Sequence, residues 1–253
     1  MIAFPTADPK DGARVRIGIL GSGPIGGTLG LLWALAGHRV FFSHHEHEDV
    51  ELFHARAILG ARTGTAAQAA DFGEAVVLSV HSYGIERWLS AAGSGLDGKV
   101  LVDATSPLRF IARAGGVGHG LPVDVPAGVA MARRLPGARV VRAFSTLRAG
   151  TLAGEAHRRG DLLGIPLAGD DAEAKRLVAR LVRAAGFEAV DAGALAESSA
   201  LDPEGTLFGA PLAATALRAR IAAGRRRERD DGRRRKPDRL HDGAFVEGAG
   251  DDR

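Results

Sequence analysis

Cysteine is absent from the 253 residues of this chain, so disulfide bonds and thiol chemistry are excluded. A long apolar run is also lacking, because glycine and proline interrupt the longest stretch, and no membrane span is predicted. The N-terminal segment lacks the basic start and apolar core of a secretory signal peptide. These absences favour a cytoplasmic protein that does not enter a membrane.

A large excess of charge of one sign is missing as well. The formal net charge is only +3, although the C-terminal region contains the arginine-rich run RRRERDDGRRR at 225–235. Acidic residues interrupt this run, which favours a solvated tail over a surface that binds nucleic acid.

Apolar runs typical of strands alternate with segments of helical periodicity from Arg14 onward. Strands are predicted at 14–20, 38–43, 74–80, 99–104, 138–144, 162–168 and 187–192. Helices are predicted over 24–37, 47–59 and 170–186, the last capped by Asp170 or Asp171 and ended by Gly186. This alternation predicts an α/β protein with a doubly wound, mostly parallel sheet.

A glycine motif follows the first predicted strand and opens the first predicted helix. Gly21, Gly23 and Gly26 have the spacing G-x-G-x-x-G, and a second strand follows at the expected distance. We expect Gly21 to allow a tight turn, Gly23 to allow close approach of a pyrophosphate, and Gly26 to let the helix pack on the strand. The context predicts a dinucleotide site of the Rossmann type.

The chain is therefore divided into three regions. Residues 1–13 are predicted to be a flexible arm, and residues 14–211 the Rossmann domain with its C-terminal closing elements. Residues 212–253 are predicted to form one helix, ending at Gly224, and then a disordered charged tail.

The end of the second strand indicates which dinucleotide binds. NAD sites usually carry an acidic residue there that holds the ribose 2′-hydroxyl, whereas this chain has Ser43, His44 and His45. A hydroxyl and imidazoles do not repel a 2′-phosphate, so NADP(H) is favoured. Glu46 and Glu48 leave NAD as the alternative, because a small shift of register brings either one to the ribose.

The histidines at this turn also suggest a metal site. His44, His45 and His47 lie close in sequence, but no cysteine or convincing set of carboxylates accompanies them. We therefore expect no metal and interpret the cluster as a polar turn beside the adenosine.

With these features established, the chain resembles the NADP oxidoreductases that depend on coenzyme F(420), a deazaflavin hydride carrier. The resemblance spans roughly residues 15–209 and rests on the blocks IGILGSGPIGGTLGLLWALAGHRVFFS (17–43), VLSVHSYGI (77–85), VLVDATSPL (100–108), ARVVRAFSTL (138–147) and LAGDDAEAKRLVARLVRAAGFEAVDAGAL (167–195). It implies a single Rossmann domain, a small C-terminal part that closes over the nicotinamide, and hydride exchange between NADP(H) and the deazaflavin. Relatives usually carry arginine where this chain has His44, and many carry asparagine where it has Ser106 and Ser145.

The resemblance also implies site residues. Ser22, Gly23, Pro24 and Ile25 would meet the pyrophosphate, and Ser43 and His44 the 2′-phosphate. The residues that would flank the pyrophosphate and nicotinamide ribose are Val80, His81 and Tyr83, and Thr105 is counted with them as cofactor-binding.

Direct hydride transfer needs oriented ring carbons and exclusion of water more than it needs acid–base groups. We accordingly assign no catalytic side chain; Asp103 and Asp124 are interpreted as structural, and His81 as a ribose contact or a group that polarises a ring carbonyl. Two alternatives stay open: a small-substrate reductase of the β-hydroxyacid or imine type, and a redox-sensing regulator that binds NADP(H) without turnover. The sequence is also compatible with a homodimer.

Overall fold

A computed structural model describes residues 14–43, 61–106 and 125–234. The chain divides into two compact units, Met1–Arg218 and Ala219–Arg253. The predicted arm at 1–13, the predicted helix at 47–59 and the end of the predicted tail lie outside the described residues, as do His44, His45 and His47. No described helix combines the length and the apolar character that crossing a bilayer requires.

One eight-stranded sheet organises the first unit. Its strands are β1 Arg16–Leu20, β2 Arg39–Ser43, β3 Arg62–Gly64, β4 Ala75–Leu78, β5 Val100–Asp103, β6 Arg139–Arg142, β7 Gly164–Gly169 and β8 Glu188–Gly193. They lie in the order β3-β2-β1-β4-β5-β6-β7-β8. The predicted α/β fold with a doubly wound, mostly parallel sheet is confirmed. The strand order reverses between β1 and β4, which is the topological switch point of the sheet.

Seven α-helices accompany the sheet in the described part of the chain. They are α1 Pro24–Leu35, α2 Ala66–Phe72, α3 Ile85–Ala92, α4 Ala127–Arg134, α5 Ala149–Glu155, α6 Ala172–Ala184 and α7 Ala214–Arg234. Shorter 3-10 helices occupy Ser82–Gly84, Gly93–Leu96 and Leu195–Leu201. The predicted cap of α6 is correct for Asp171, whose carboxylate accepts from the Ala174 amide at 2.7 Å.

Apolar side chains fill the space on both faces of the sheet. One core includes Trp33 of α1 and Val178 of α6, and the other includes Ala69 of α2, Leu89 of α3 and Met131 of α4. The Trp33 indole Nε1 donates to the Leu181 carbonyl at 2.7 Å, which satisfies its buried N–H and joins α1 to α6.

The last two strands reverse the direction of the sheet. β6 pairs with β7 antiparallel, and β8 is parallel to β7. Because β6 and β7 are antiparallel, β7 begins at the end of the sheet where β6 finishes. The connection between them therefore does not have to return to the opposite end of the strands. The helix between them, α5, has seven residues and spans only about 10 Å.

The C-terminal helix is longer than predicted. α7 continues to Arg234, ten residues beyond the predicted end at Gly224. The sequence there places arginines three and four residues from acidic residues, a spacing that favours a helix.

Candidate functional site

The glycine motif lies at the topological switch point of the sheet, where ligands of open α/β folds bind. Gly21 follows β1 with a φ of +90°, a left-handed conformation that side chains rarely adopt. A Cβ atom there would lie 2.5 Å from Val80 Cγ1 and 2.8 Å from the Ser79 carbonyl oxygen. Only glycine fits this turn.

Gly26 lets the first helix pack against the first strand. A Cβ atom at this position would overlap the Gly21 carbonyl oxygen and Ser79 Oγ, and would lie 3.0 Å from Ile19 Cγ2. The close packing predicted for this glycine is therefore present in the structure.

Gly23 differs from both of its partners, because a Cβ atom there would meet no heavy atom within 4 Å. It is the N-cap of α1, with φ −64° and ψ −170°, which any residue can adopt. No side chain caps the helix, and its first turn carries no acidic residue. The first-turn amides, which lack partners within the helix, therefore face an open cradle suited to an anion.

Two serine hydroxyls fix the glycine turn from the neighbouring strands. Ser43 Oγ, at the end of β2, donates to the Ile19 carbonyl at 2.8 Å and accepts from the Gly21 amide at 3.3 Å. Ser79 Oγ, just beyond β4, donates to the Gly21 carbonyl at 2.6 Å. Sequence reasoning missed Ser79, although a serine ending the apolar run AVVLS was the available signal.

The expectation that Ser43 contacts a 2′-phosphate changes with this geometry. Its side chain is fully buried, and its only hydroxyl proton is already donated to Ile19. Ser43 therefore supports the turn from inside. The described residues at the carboxyl ends of β2 and β3 are Ser43, Gly64 and Thr65, which carry no carboxylate, whereas Glu46 and Glu48 lie outside the described residues.

The segment after β4 adds an aromatic surface beside the glycine turn. The rings of His81 and Tyr83 stack with centroids 5.3 Å apart and planes inclined by 6°. Both residues are exposed, Tyr83 to 62%. Val80 approaches Gly21 closely, and His81 and Tyr83 follow it in the chain.

Thr105 follows β5 and is held by a buried carboxylate. Asp103 Oδ1 accepts from the Thr105 amide at 3.0 Å and from its hydroxyl at 2.6 Å. The other Asp103 oxygen pairs with Arg142 Nη1 at 3.2 Å, and both side chains are wholly buried. These contacts agree with a structural role for Asp103.

A third charged residue completes this cluster. Arg142 Nη2 lies 3.1 Å from Asp202 Oδ1, within ion-pair distance but outside hydrogen-bond geometry. Asp202 Oδ2 accepts from the Ala127 amide at the start of α4. Burial raises the pKa of Asp202, and the Arg142 guanidinium opposes that rise. No local sequence pattern predicts the contact between Arg142 and Asp202.

Among the described residues, no group of three or more His, Asp or Glu side chains is arranged to hold a metal ion. The histidines considered for this role lie outside the described residues.

Comparison with known proteins places this geometry in context. Residues 16–107 match the model of a family described as NADP oxidoreductase coenzyme F(420)-dependent. No curated protein matches the chain.

Solved structures give matches over most of the chain. A hypothetical protein from Sinorhizobium meliloti is 25% identical, with a TM-score of 0.66 over 79% of this chain and 96% of that one. A candidate F(420)-dependent NADP reductase from an Arthrobacter species is 25% identical, with a TM-score of 0.60 over 87% of this chain and 94% of that one. An imine reductase variant from Myxococcus stipitatus, in complex with NAD⁺, is 16% identical with a TM-score of 0.55 over 86% of this chain and 64% of that one, and shows the fold alone. The resemblance predicted from the sequence is thus confirmed: residues 16–107 match the coenzyme F(420)-dependent NADP oxidoreductase family.

Proposed function

We propose that the protein is an NADP(H)-dependent oxidoreductase that transfers a hydride between NADP(H) and coenzyme F(420) or a similar flavin-like acceptor. The observation that carries the proposal is the open cradle at Gly23, placed at the switch point of a sheet whose first part matches an NADP oxidoreductase family.

The cradle fits a pyrophosphate in shape and in charge. The space beside Gly23 is open, and the Ile25 and Gly26 amides begin the helix without partners inside it. The helix dipole places partial positive charge at the same point. Val80, His81 and Tyr83 then lie on the β4 side, where the nicotinamide ribose follows the pyrophosphate in an extended dinucleotide.

Preference for NADP(H) over NAD(H) follows from the edge of β2. The described residues there carry no carboxylate, and His44 comes directly after the buried Ser43. We assign Ser43 to positioning the turn and His44 to the 2′-phosphate. Titration by cofactor fluorescence should show tighter binding of NADPH than of NADH, and tighter binding of NADH would contradict this assignment.

Replacing His44 with arginine sharpens this test. A guanidinium offers a fixed fork of donors and is always charged, so His44→Arg should tighten NADPH binding and leave NADH binding unchanged. An equal gain for both cofactors would place residue 44 away from the 2′-phosphate.

The chemistry requires little from side chains. The reduced nicotinamide supplies the hydride when it is bound, while the protein orients the two rings and keeps water from them. His81 and Tyr83, stacked at the carboxyl end of β4, present a flat surface suited to contact with the nicotinamide ribose.

Anaerobic mixing of the protein with NADPH and oxidised coenzyme F(420) tests the proposal. The absorbances of both compounds should fall together, and the amounts of NADPH and coenzyme F(420) consumed should be equal. NADPH binding without turnover of the deazaflavin, of a flavin, or of an imine would support a redox-sensing regulator instead. Turnover of an imine or a β-keto acid in place of the deazaflavin would support a small-substrate reductase.

A further inference from the structure

Buried polar atoms without hydrogen-bond partners concentrate in one corner of the protein. In the part of the chain that the structure describes, such side-chain atoms belong to Ser106, Arg142, Ser145 and Asp202. The Arg142 guanidinium and the Asp202 carboxylate face each other in an ion pair at 3.1 Å, so the hydroxyls of Ser106 and Ser145 are the groups of this set left without a partner. Buried polar groups are nearly always paired in folded proteins, so these two hydroxyls call for a missing partner.

Arg142 ends β6, and the two serines follow the carboxyl ends of β5 and β6. Asp103 and Arg142 are register partners in these parallel strands, and Ser106 and Ser145 each follow three residues later. Asp202 joins the corner through its ion pair with Arg142. Ser106 follows the carboxyl end of β5, the edge of the sheet where ligands of open α/β folds bind, and the residue is partly exposed although its hydroxyl is buried.

The backbone before Ser145 is held in an unusual conformation. Phe144 has a φ of +63°, which is uncommon for a residue with a side chain. Its ring packs edge-on against Trp33 at 5.9 Å and Phe187 at 6.3 Å. Packing of a bulky ring thus fixes the turn that leads to the unpaired Ser145 hydroxyl.

The charges of the corner restrict which partner it accepts. One guanidinium faces two carboxylates, Asp103 and Asp202, so the cluster offers no surplus positive charge to an anion. The hydroxyls of Ser106 and Ser145 each donate and accept. A neutral group with both a carbonyl and an N–H, such as a carboxamide or a lactam, complements them.

We propose that Ser106 and Ser145 bind the amide-bearing edge of a redox ring, and that the Asp103–Arg142–Asp202 cluster positions the two serine-bearing segments. This inference rests on the proposed function and adds the residues that recognise the reactive ring. Two rings share the required chemistry: the nicotinamide, through its carboxamide, and the acceptor, through a lactam.

Alanine substitutions in the full-length protein test this assignment. Ser145→Ala and Ser106→Ala remove hydroxyls that have no hydrogen-bond partner among the described residues, so thermal unfolding without ligand should be unchanged or shifted upward. Ser198→Ala is the matched control, since its fully buried Oγ accepts from the Gly128 amide at 3.3 Å and its loss should lower stability. The control should leave ligand binding unchanged.

Binding and kinetic measurements show whether the nicotinamide or the acceptor contacts the two serines. Loss of one hydrogen bond should weaken the affected step by about threefold to tenfold. If the nicotinamide occupies the corner, the serine variants bind NADPH more weakly but bind 2′-phospho-ADP-ribose, which lacks the nicotinamide, like wild type. If the acceptor occupies it, NADPH affinity is unchanged and the KM of coenzyme F(420) rises.

Other outcomes overturn the inference in separable ways. Serine variants with wild-type NADPH affinity and wild-type acceptor KM contradict it and leave the proposed function intact. Serine variants as destabilised as Ser198→Ala would show that the hydroxyls are structural. A wild-type protein that binds no NADPH contradicts the proposed function, and this inference with it.

Discussion

Replacing Gly23 with alanine separates binding from folding, because the added methyl group enters the cradle and nothing else. No heavy atom lies within 4 Å of the Cβ position, and the backbone conformation suits alanine. The methyl group would occupy the space between the first-turn amides and the pyrophosphate. We expect Gly23→Ala to fold normally and to bind NADPH poorly.

The expected changes in folding stability and in NADPH affinity can be estimated separately. Reduced freedom of the unfolded chain stabilises a Gly→Ala variant by about 0.4–1 kcal/mol. Alanine is a poorer N-cap than glycine, by roughly 0.5–1 kcal/mol, so the two effects nearly cancel. Displacing the diphosphate from one charge-assisted hydrogen bond costs about 1.5–3 kcal/mol, which predicts at least tenfold weaker NADPH binding.

Urea unfolding and NADPH titration on the same samples measure both quantities. Gly26→Ala is the opposite case, since its methyl group overlaps Gly21 and Ser79, and it should lose stability. Gly154→Ala, in α5 with no neighbour within 4 Å of its Cβ position, controls for the substitution itself and should bind NADPH like wild type. A stable Gly23→Ala variant with wild-type NADPH affinity would refute the cradle.

Three further predictions concern the charged cluster and the C-terminal helix. Arg142→Met leaves two carboxylates without their cation and should lower the free energy of unfolding by about 3–5 kcal/mol, whereas a loss below about 1 kcal/mol would show that the cluster is not a tight unit. Burial raises the pKa of Asp202, so the folded protein holds that proton more tightly than the unfolded chain does. Wild-type stability relative to Asp202→Asn should therefore decline as pH rises above the ordinary aspartate value of about 3.9, and a constant difference across that range would contradict the shift. Truncation after Gly224 should leave NADPH affinity unchanged and move the melting temperature by less than about 4 °C, since the core lies within the first unit, and a larger fall would show that the removed segment stabilises it.

The sequence predicted seven of the eight strands to within one or two residues, because buried parallel strands are continuous apolar runs. It missed β3, Arg62–Gly64, which is only three residues long and has no apolar run. The reversal at β7 was not predictable in this way. The run LLGIPLA has the same apolar character in either direction, and the direction depends on how the chain returns through α5. Local pattern therefore identified the strands but not the orientation of the last two.

The site shows the same division between local and distant information. The roles of Gly21 and Gly26 in the turn follow from motif spacing, and the structure bears them out. Ser43 was placed correctly at the strand end, but its bond to Ile19 depends on the neighbouring strand. The pairing of Arg142 with Asp202, sixty residues apart in the sequence, depends on the tertiary fold and has no local signal.

The central claim is direct hydride transfer between NADP(H) and a deazaflavin-like acceptor, and an isotope experiment tests it most directly. The protein is incubated anaerobically with oxidised coenzyme F(420) and NADPH deuterated on one or the other face of nicotinamide C4, and the reduced acceptor is analysed by mass spectrometry. Direct transfer predicts that one face delivers its deuterium to the acceptor with no dilution by solvent hydrogen. An acceptor that is not reduced, or that carries only solvent hydrogen with either labelled face, would contradict the account.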